Sequence, residues 1–89
     1  MTRACTFRLT GRVQGVGFRH WTVETARDLG LSGWVRNESD GAVTGHAEGA
    51  AEPLRRFQEA LGQGPTLARV ESVSVDSADP QGMDEFETR

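Results

Sequence analysis

The chain has 89 residues, of which 36% are hydrophobic and 26% charged, and it carries a formal net charge of -3 at pH 7. A chain this short can form only one compact domain, here residues 1–89, and its composition is that of a globular protein rather than a disordered or membrane-spanning one. The acidic balance argues against broad binding of nucleic acid, because affinity for phosphate backbones comes mainly from a positive surface.

The first segments predict a strand followed by a helix. Residues 5–10 alternate apolar and polar side chains, which is the pattern of a strand with one buried face. Residues 11–17 include several glycines and predict a loop that either has a specific use or is a loose connection. Apolar residues then recur at helical spacing, which predicts a helix over residues 18–29 that is closed by Gly30.

The middle of the chain predicts a hairpin and a second helix. Strand-like runs at residues 33–37 and 42–48 are separated by a turn that ends in Asp-Gly, a strong hairpin signal. Pro53 suits the first turn of a helix. The apolar residues between 54 and 61 follow at the spacing of one buried helical face.

The C-terminal part predicts one long strand and one short strand. Residues 69–76 have a strand pattern, but Val73 and Val75 share one face while Val70 falls on the other. This change of parity indicates a bulge or a late start of the strand. After a loop, residues 85–88 can form a short edge strand.

The order of the predicted elements is strand, helix, strand, strand, helix, strand, with an optional short last strand. Two crossover units that flank a hairpin predict an α+β fold of the ferredoxin-like type, the split βαβ sandwich. In this fold an antiparallel sheet carries both helices on one face. Because the fold serves many unrelated functions, it does not choose among them.

Several common chemistries lack the residues that they need. The sequence contains no lysine, which removes Walker-type phosphate loops and Schiff-base chemistry. The run from Gly15 begins like a dinucleotide fingerprint, but His20 stands where the third glycine belongs. Cys5 has no arginine at the spacing of a cysteine phosphatase, and Cys5, His20 and His46 lack the spacing of a zinc site. With no long apolar run and no signal-peptide pattern, we expect a cytoplasmic protein.

The glycine-rich segment before the first helix is the candidate site. Successive backbone N–H groups from Gln14 to Phe18, together with the positive end of a helix, suit a phosphate-sized anion. Arg19 adds a cationic fork at the same place, and a cation at a helix N-terminus is unfavourable unless an anion is present. The alternative, favoured by these residue types alone, is an exposed arginine after a flexible loop.

The other polar residues have structural interpretations. Asn37 stands at a strand end before a turn, where asparagine is structural by default. We expect no function for His20 or His46, and we expect His46 to face out of its strand. The two tryptophans are expected to be packing residues.

Two long segments resemble the signatures of the acylphosphatase family. Leu9–Arg19 (LTGRVQGVGFR) resembles the first signature, and Gly33–Val43 (GWVRNESDGAV), followed by Gly45 and Gly49, resembles the second. Their mutual spacing is also that of the family, and the similarity continues through the second helix and the strand over Val70–Val75. The resemblance implies the same ferredoxin-like fold. It also implies an enzyme that hydrolyses the carboxyl-phosphate bond of small acyl phosphates to a carboxylate and inorganic phosphate.

Carried over position by position, the resemblance assigns site residues. The phosphate-binding arginine of the family falls on Arg19 and its water-orienting asparagine falls on Asn37, so these two are the predicted catalytic residues. The phosphate cradle falls on the backbone of Gln14, Gly15, Val16, Gly17 and Phe18.

Further expectations concern cofactors and partners. We expect no metal and no cofactor, since no carboxylate cluster or His/Cys spacing offers a divalent-ion site. We expect inorganic phosphate to be a product and competitive inhibitor, and the chain to be a monomer that binds neither nucleic acid nor membrane. The alternative function is a non-catalytic anion- or protein-binding module with the same fold.

Overall fold

Strands and helices follow one another along the chain in the predicted order. The computed structural model describes residues 1–89. The strands are β1 (Arg3–Arg12), β2 (Ser32–Asn37), β3 (Val43–Gly49), β4 (Arg69–Ala78) and β5 (Phe86–Thr88), and the helices are α1 (Phe18–Asp28) and α2 (Ala51–Gln63). Neither helix is long and apolar enough to cross a membrane.

The five strands form one sheet in the order β4-β1-β3-β2-β5. β1 lies between antiparallel neighbours β3 and β4, and β2 is antiparallel to β3. After β4 at one edge, the chain crosses to the far edge, where the short strand β5 pairs in parallel with β2. The predicted α+β ferredoxin-like fold is confirmed, and β5 makes its sheet mixed rather than purely antiparallel.

One hydrophobic core lies between the sheet and both helices. The Phe57 ring on α2 sits 5.6 Å from the ring of Phe7 and 5.8 Å from the ring of Phe86, measured between centroids. Edge-to-face and tilted aromatic contacts of this kind add to the gain from burial. Phe57 therefore packs α2 against both the inner strand β1 and the edge strand β5.

Helix α1 buries one face and ends in a hydrogen-bonded cap. Phe18, Thr22 and Ala26, spaced four residues apart, are buried on that face. The Thr22 hydroxyl donates to the carbonyl of Phe18 at 2.8 Å, so this buried polar group is satisfied. After the helix, the Leu31 N–H donates to the carbonyl of Ala26 at 2.9 Å in a Schellman-type cap around Gly30.

Strand β4 contains the bulge that the sequence predicts. Thr10 pairs with Ser72, but Gly11 pairs with Val70, so Glu71 is an extra residue on β4. The bulge restores the parity of the strand. As a result, Val70 packs against the core instead of facing away from it.

His46 differs from expectation, because it is buried with only 1% of its surface exposed. It does lie on the sheet face opposite the core, but the segment after β4 covers it. The Glu48 carboxylate accepts hydrogen bonds from the backbone N–H groups of Gln81 at 2.6 Å and Met83 at 2.7 Å. His46 Nε2 lies 2.7 Å from Glu48 Oε2 in the same cluster.

The charge of Glu48 is stabilised where it lies. Burial acts to raise the pKa of this carboxyl, but the hydrogen bonds from Gln81, His46 and Met83 together outweigh burial and hold the pKa below its usual value. A group with a lowered pKa adds stability above its ordinary pKa and loses that contribution as the pH falls through the folded value.

We expect Glu48→Gln to lower the free energy of unfolding at pH 7 by about 1–3 kcal/mol, because a neutral amide cannot accept from both backbone N–H groups equally well. The difference from wild type should shrink as the pH falls through the lowered pKa of Glu48, because the wild-type carboxylate then becomes protonated too. Urea unfolding at several pH values measures both effects. Glu71→Gln, at an exposed position, is the matched control. Equal stability of Glu48→Gln and wild type at pH 7 would contradict the stabilising role of the Glu48 carboxylate.

Candidate active site

A small cleft lies where the loop between β1 and α1 meets the end of β2. It has a volume of about 180 Å³. Its lining residues are Val13, Gly15, Gly17, Phe18, Arg19, His20 and Asn37. Five of the predicted site residues are therefore brought together. Gln14 and Val16 do not line the cleft.

The backbone at the mouth of the cleft offers free hydrogen-bond donors. Helix α1 begins without a side-chain cap and without an acidic residue in its first turn. The first intrahelical bond joins the Trp21 N–H to the carbonyl of Gly17 at 3.0 Å. Backbone N–H groups from Gln14 to His20 donate to no other group of the chain. Unpaired N–H groups at the positive end of a helix favour a bound anion.

Glycines give this loop its shape. Gly15 and Gly17 have φ angles of +73° and +78°, in the left-handed region that residues with a Cβ rarely adopt. A Cβ at either position would meet no atom within 4 Å, so conformation rather than crowding requires glycine here. Val16 between them has no positive φ, and an alternation of this kind turns successive N–H groups toward one point.

Arg19 is exposed at this end of α1. It lines the cleft, and its side chain forms no ion pair with a carboxylate of the chain. A positive side chain in the first helical turn opposes the helix dipole. The arrangement is therefore locally unfavourable until an anion enters between the guanidinium group and the N–H groups.

Asn37 reaches the cleft from the opposite side. It is the last residue of β2, where it pairs with Val43 of β3, and it is half-buried. Its Oδ1 atom is fully buried and has no hydrogen-bond partner. An unpaired buried carbonyl is destabilising, and such groups in native folds call for an explanation.

Charged side chains hold the turn that follows Asn37. The Glu38 carboxylate accepts from Thr44 Oγ1 at 2.5 Å and Arg36 Nε at 2.6 Å, and these two hydrogen bonds lower its pKa. Asp40, in the same turn, accepts a hydrogen bond from Arg8 and a second one from the Ala42 N–H. These two hydrogen bonds lower the pKa of Asp40. The turn is thus held by ionised carboxylates.

Gln14 has a different contact from the predicted one. Its side-chain amide, Nε2, donates to the backbone carbonyls of Glu38 at 2.8 Å and Ala42 at 2.9 Å, both in the turn after Asn37. The sequence predicts a role only for the Gln14 backbone. No local pattern could reveal partners 24 and 28 residues away. His20, for which we expected no function, also lines the cleft and pairs with Glu24.

The family model of acylphosphatases matches residues 5–88. The chain belongs to the acylphosphatase family. It is 55% identical to an acylphosphatase of Salinibacter ruber over 80 residues, which cover 90% of this chain and 82% of that protein. The crystal structure of an acylphosphatase from Bacillus subtilis superposes with a TM-score of 0.95 at 36% identity and covers 100% of this chain and 99% of that one.

These relatives show the activity as well as the fold. The protein is an acylphosphatase, a hydrolase whose substrate is a small acyl phosphate. The same fold also occurs inside a longer chain: full-length HypF, in a phosphate- and nucleotide-bound form, has a TM-score of 0.93 and 26% identity, and this chain matches 12% of its length.

We expect Asn37→Ala to unfold at the same temperature as wild type or a higher one, because the substitution removes an unpaired buried carbonyl. Thermal melts and urea unfolding measure this. Val35→Ala on the same strand is the matched control, and it should lose on the order of 2 kcal/mol because it deletes fully buried methyl groups. A loss of similar size in Asn37→Ala would show that this side chain supports the fold.

Proposed function

We propose that this acylphosphatase hydrolyses small acyl phosphates in the cleft between the β1–α1 loop and Asn37, without a metal. In this proposal the backbone N–H groups from Gln14 to Phe18 cradle the phosphoryl group. Arg19 holds the phosphoryl group by its two-pronged guanidinium, and Asn37 orients the attacking water.

The free donors from Gln14 to His20 carry this proposal. They lie beside the exposed side chain of Arg19 at the start of a helix. No carboxylate of the chain pairs with Arg19 or accepts a hydrogen bond from these N–H groups. A tetrahedral oxyanion would satisfy both, because a guanidinium can contact two of its oxygens while the N–H groups take others. The cleft is small, about 180 Å³, so only the phosphoryl end of a substrate needs to enter it.

The chemistry needs no covalent nucleophile. An acyl phosphate is already activated, since its leaving carboxylate is a weak base. Positioning of water and stabilisation of charge on the equatorial oxygens can therefore provide the catalysis. Arg19 and the loop donors lie where that charge would develop.

Asn37 is suited to hold the water. Asn37 lines the cleft, and the Nδ2 group of its side-chain amide is a donor that can hold the oxygen of a water. The water would attack phosphorus in line with the leaving carboxylate, and its proton would pass to a phosphoryl oxygen of the substrate.

The other sequence predictions remain predictions. These are turnover without a metal, a monomeric state and a cytoplasmic location. A turnover assay with a small acyl phosphate measures the hydrolysis directly.

We expect inorganic phosphate and sulfate to inhibit competitively, raising the apparent KM for an acyl phosphate while leaving kcat unchanged, because the cradle recognises a tetrahedral anion before an acyl group. Steady-state kinetics at several phosphate concentrations measure this. Chloride at matched ionic strength controls for screening of charge. Purely noncompetitive inhibition would contradict the proposed cradle.

Substitutions of Arg19 and of Asn37 should impair different steps, binding in the first case and turnover in the second. Arg19→Ala should weaken phosphate binding and abolish turnover, whereas Asn37→Ala should lower kcat by about 100- to 1000-fold with phosphate affinity almost unchanged. Arg19→Lys should also fail, because an ammonium group keeps the charge but not the planar fork. Calorimetry with phosphate and steady-state hydrolysis measure the two effects.

The control for these variants is Arg56→Ala, at an exposed position on α2, which should behave as wild type. Unaltered phosphate affinity in folded Arg19→Ala would overturn its proposed role. Full turnover in folded Asn37→Ala would likewise overturn the role of the asparagine.

A further inference from the structure

The side chain of Gln14 connects the two halves of the proposed site. Its backbone belongs to the loop that would hold the phosphoryl group. Its amide donates to the carbonyls of Glu38 and Ala42, on the turn that directly follows Asn37. Gln14 is half-buried, so these hydrogen bonds are partly shielded from water.

The two carbonyls do not need Gln14 as a partner. The Glu38 carbonyl already accepts from the Gly41 N–H at 3.2 Å, and the Ala42 carbonyl already accepts from the Glu38 N–H at 2.8 Å. The hairpin turn is also held by the Glu38 and Asp40 carboxylates. Loss of the Gln14 amide would therefore leave no buried carbonyl without a donor. What the amide adds is a link between loop and turn.

We propose that Gln14 is a positioning residue for hydrolysis, whose side chain sets the distance between the phosphate cradle and the water held by Asn37. This inference rests on the proposed roles of the cradle and of Asn37. Gln14 touches neither water nor phosphoryl group with its side chain, and it acts by keeping the loop and the end of β2 in register.

The role has a distinctive kinetic consequence. All proposed contacts to the phosphoryl group lie on the loop and on Arg19, so loosening the link should leave phosphate binding nearly intact. The attack of water depends on alignment across the cleft, where an error of about 1 Å can lower the rate about 100-fold. The effect should therefore fall on kcat.

The test is Gln14→Met, which keeps the length of the side chain and removes both hydrogen bonds. We expect kcat to fall by about 10- to 100-fold, with KM and the inhibition constant of phosphate nearly unchanged. Gln63→Met makes the same chemical change at an exposed position near the end of α2 and should leave all three constants unchanged. Thermal melts verify that each variant is folded.

A second measurement places the same substitution in Asn37→Ala. If Gln14 acts through Asn37, Gln14→Met should lower kcat no further in that background, because effects of residues that work as a unit do not multiply. A multiplicative loss in the double variant, unchanged kcat in Gln14→Met, or an equal fall in phosphate affinity would each overturn the positioning role. Full turnover of Asn37→Ala alone would instead overturn the proposed function of Asn37.

Discussion

A set of backbone N–H groups without internal partners is the constraint on which the rest of this structure depends. Secondary structure normally satisfies such groups, and here the stretch between β1 and α1 leaves them open at the positive end of a helix. Arg19 increases the positive field at the same place. The chain thus presents a site that is complete only with an anion, which fits the phosphoryl substrate of an acylphosphatase.

The remainder of the fold holds this loop still. β1 lies inside the sheet between β4 and β3, and the buried face of α1 packs on the same core, so both ends of the loop are anchored. The β2–β3 turn faces the loop and is fixed by the Glu38 and Asp40 carboxylates. A catalytic arrangement on such a frame needs little reorganisation when the substrate binds.

Stability and function make different demands on the buried polar groups. Glu48 is satisfied by three partners, one side chain and two backbone N–H groups, and it fastens the segment that leads into β5. Asn37, by contrast, keeps a buried oxygen unpaired at the cleft. A buried polar group left unpaired costs stability, and departures of this kind are expected at functional sites.

The sequence by itself determined the elements, the ferredoxin-like topology and the family, because alternation, helical spacing and turn residues are local signals and the two signatures are long. It also indicated the bulge in β4 through the parity of Val70. Three features depended on tertiary structure: the burial of His46, the parallel pairing of β5, and the link from Gln14 to the turn after Asn37. Each depends on residues far apart in the chain, and local patterns carry no information about which distant segment covers a side chain or accepts its hydrogen bond.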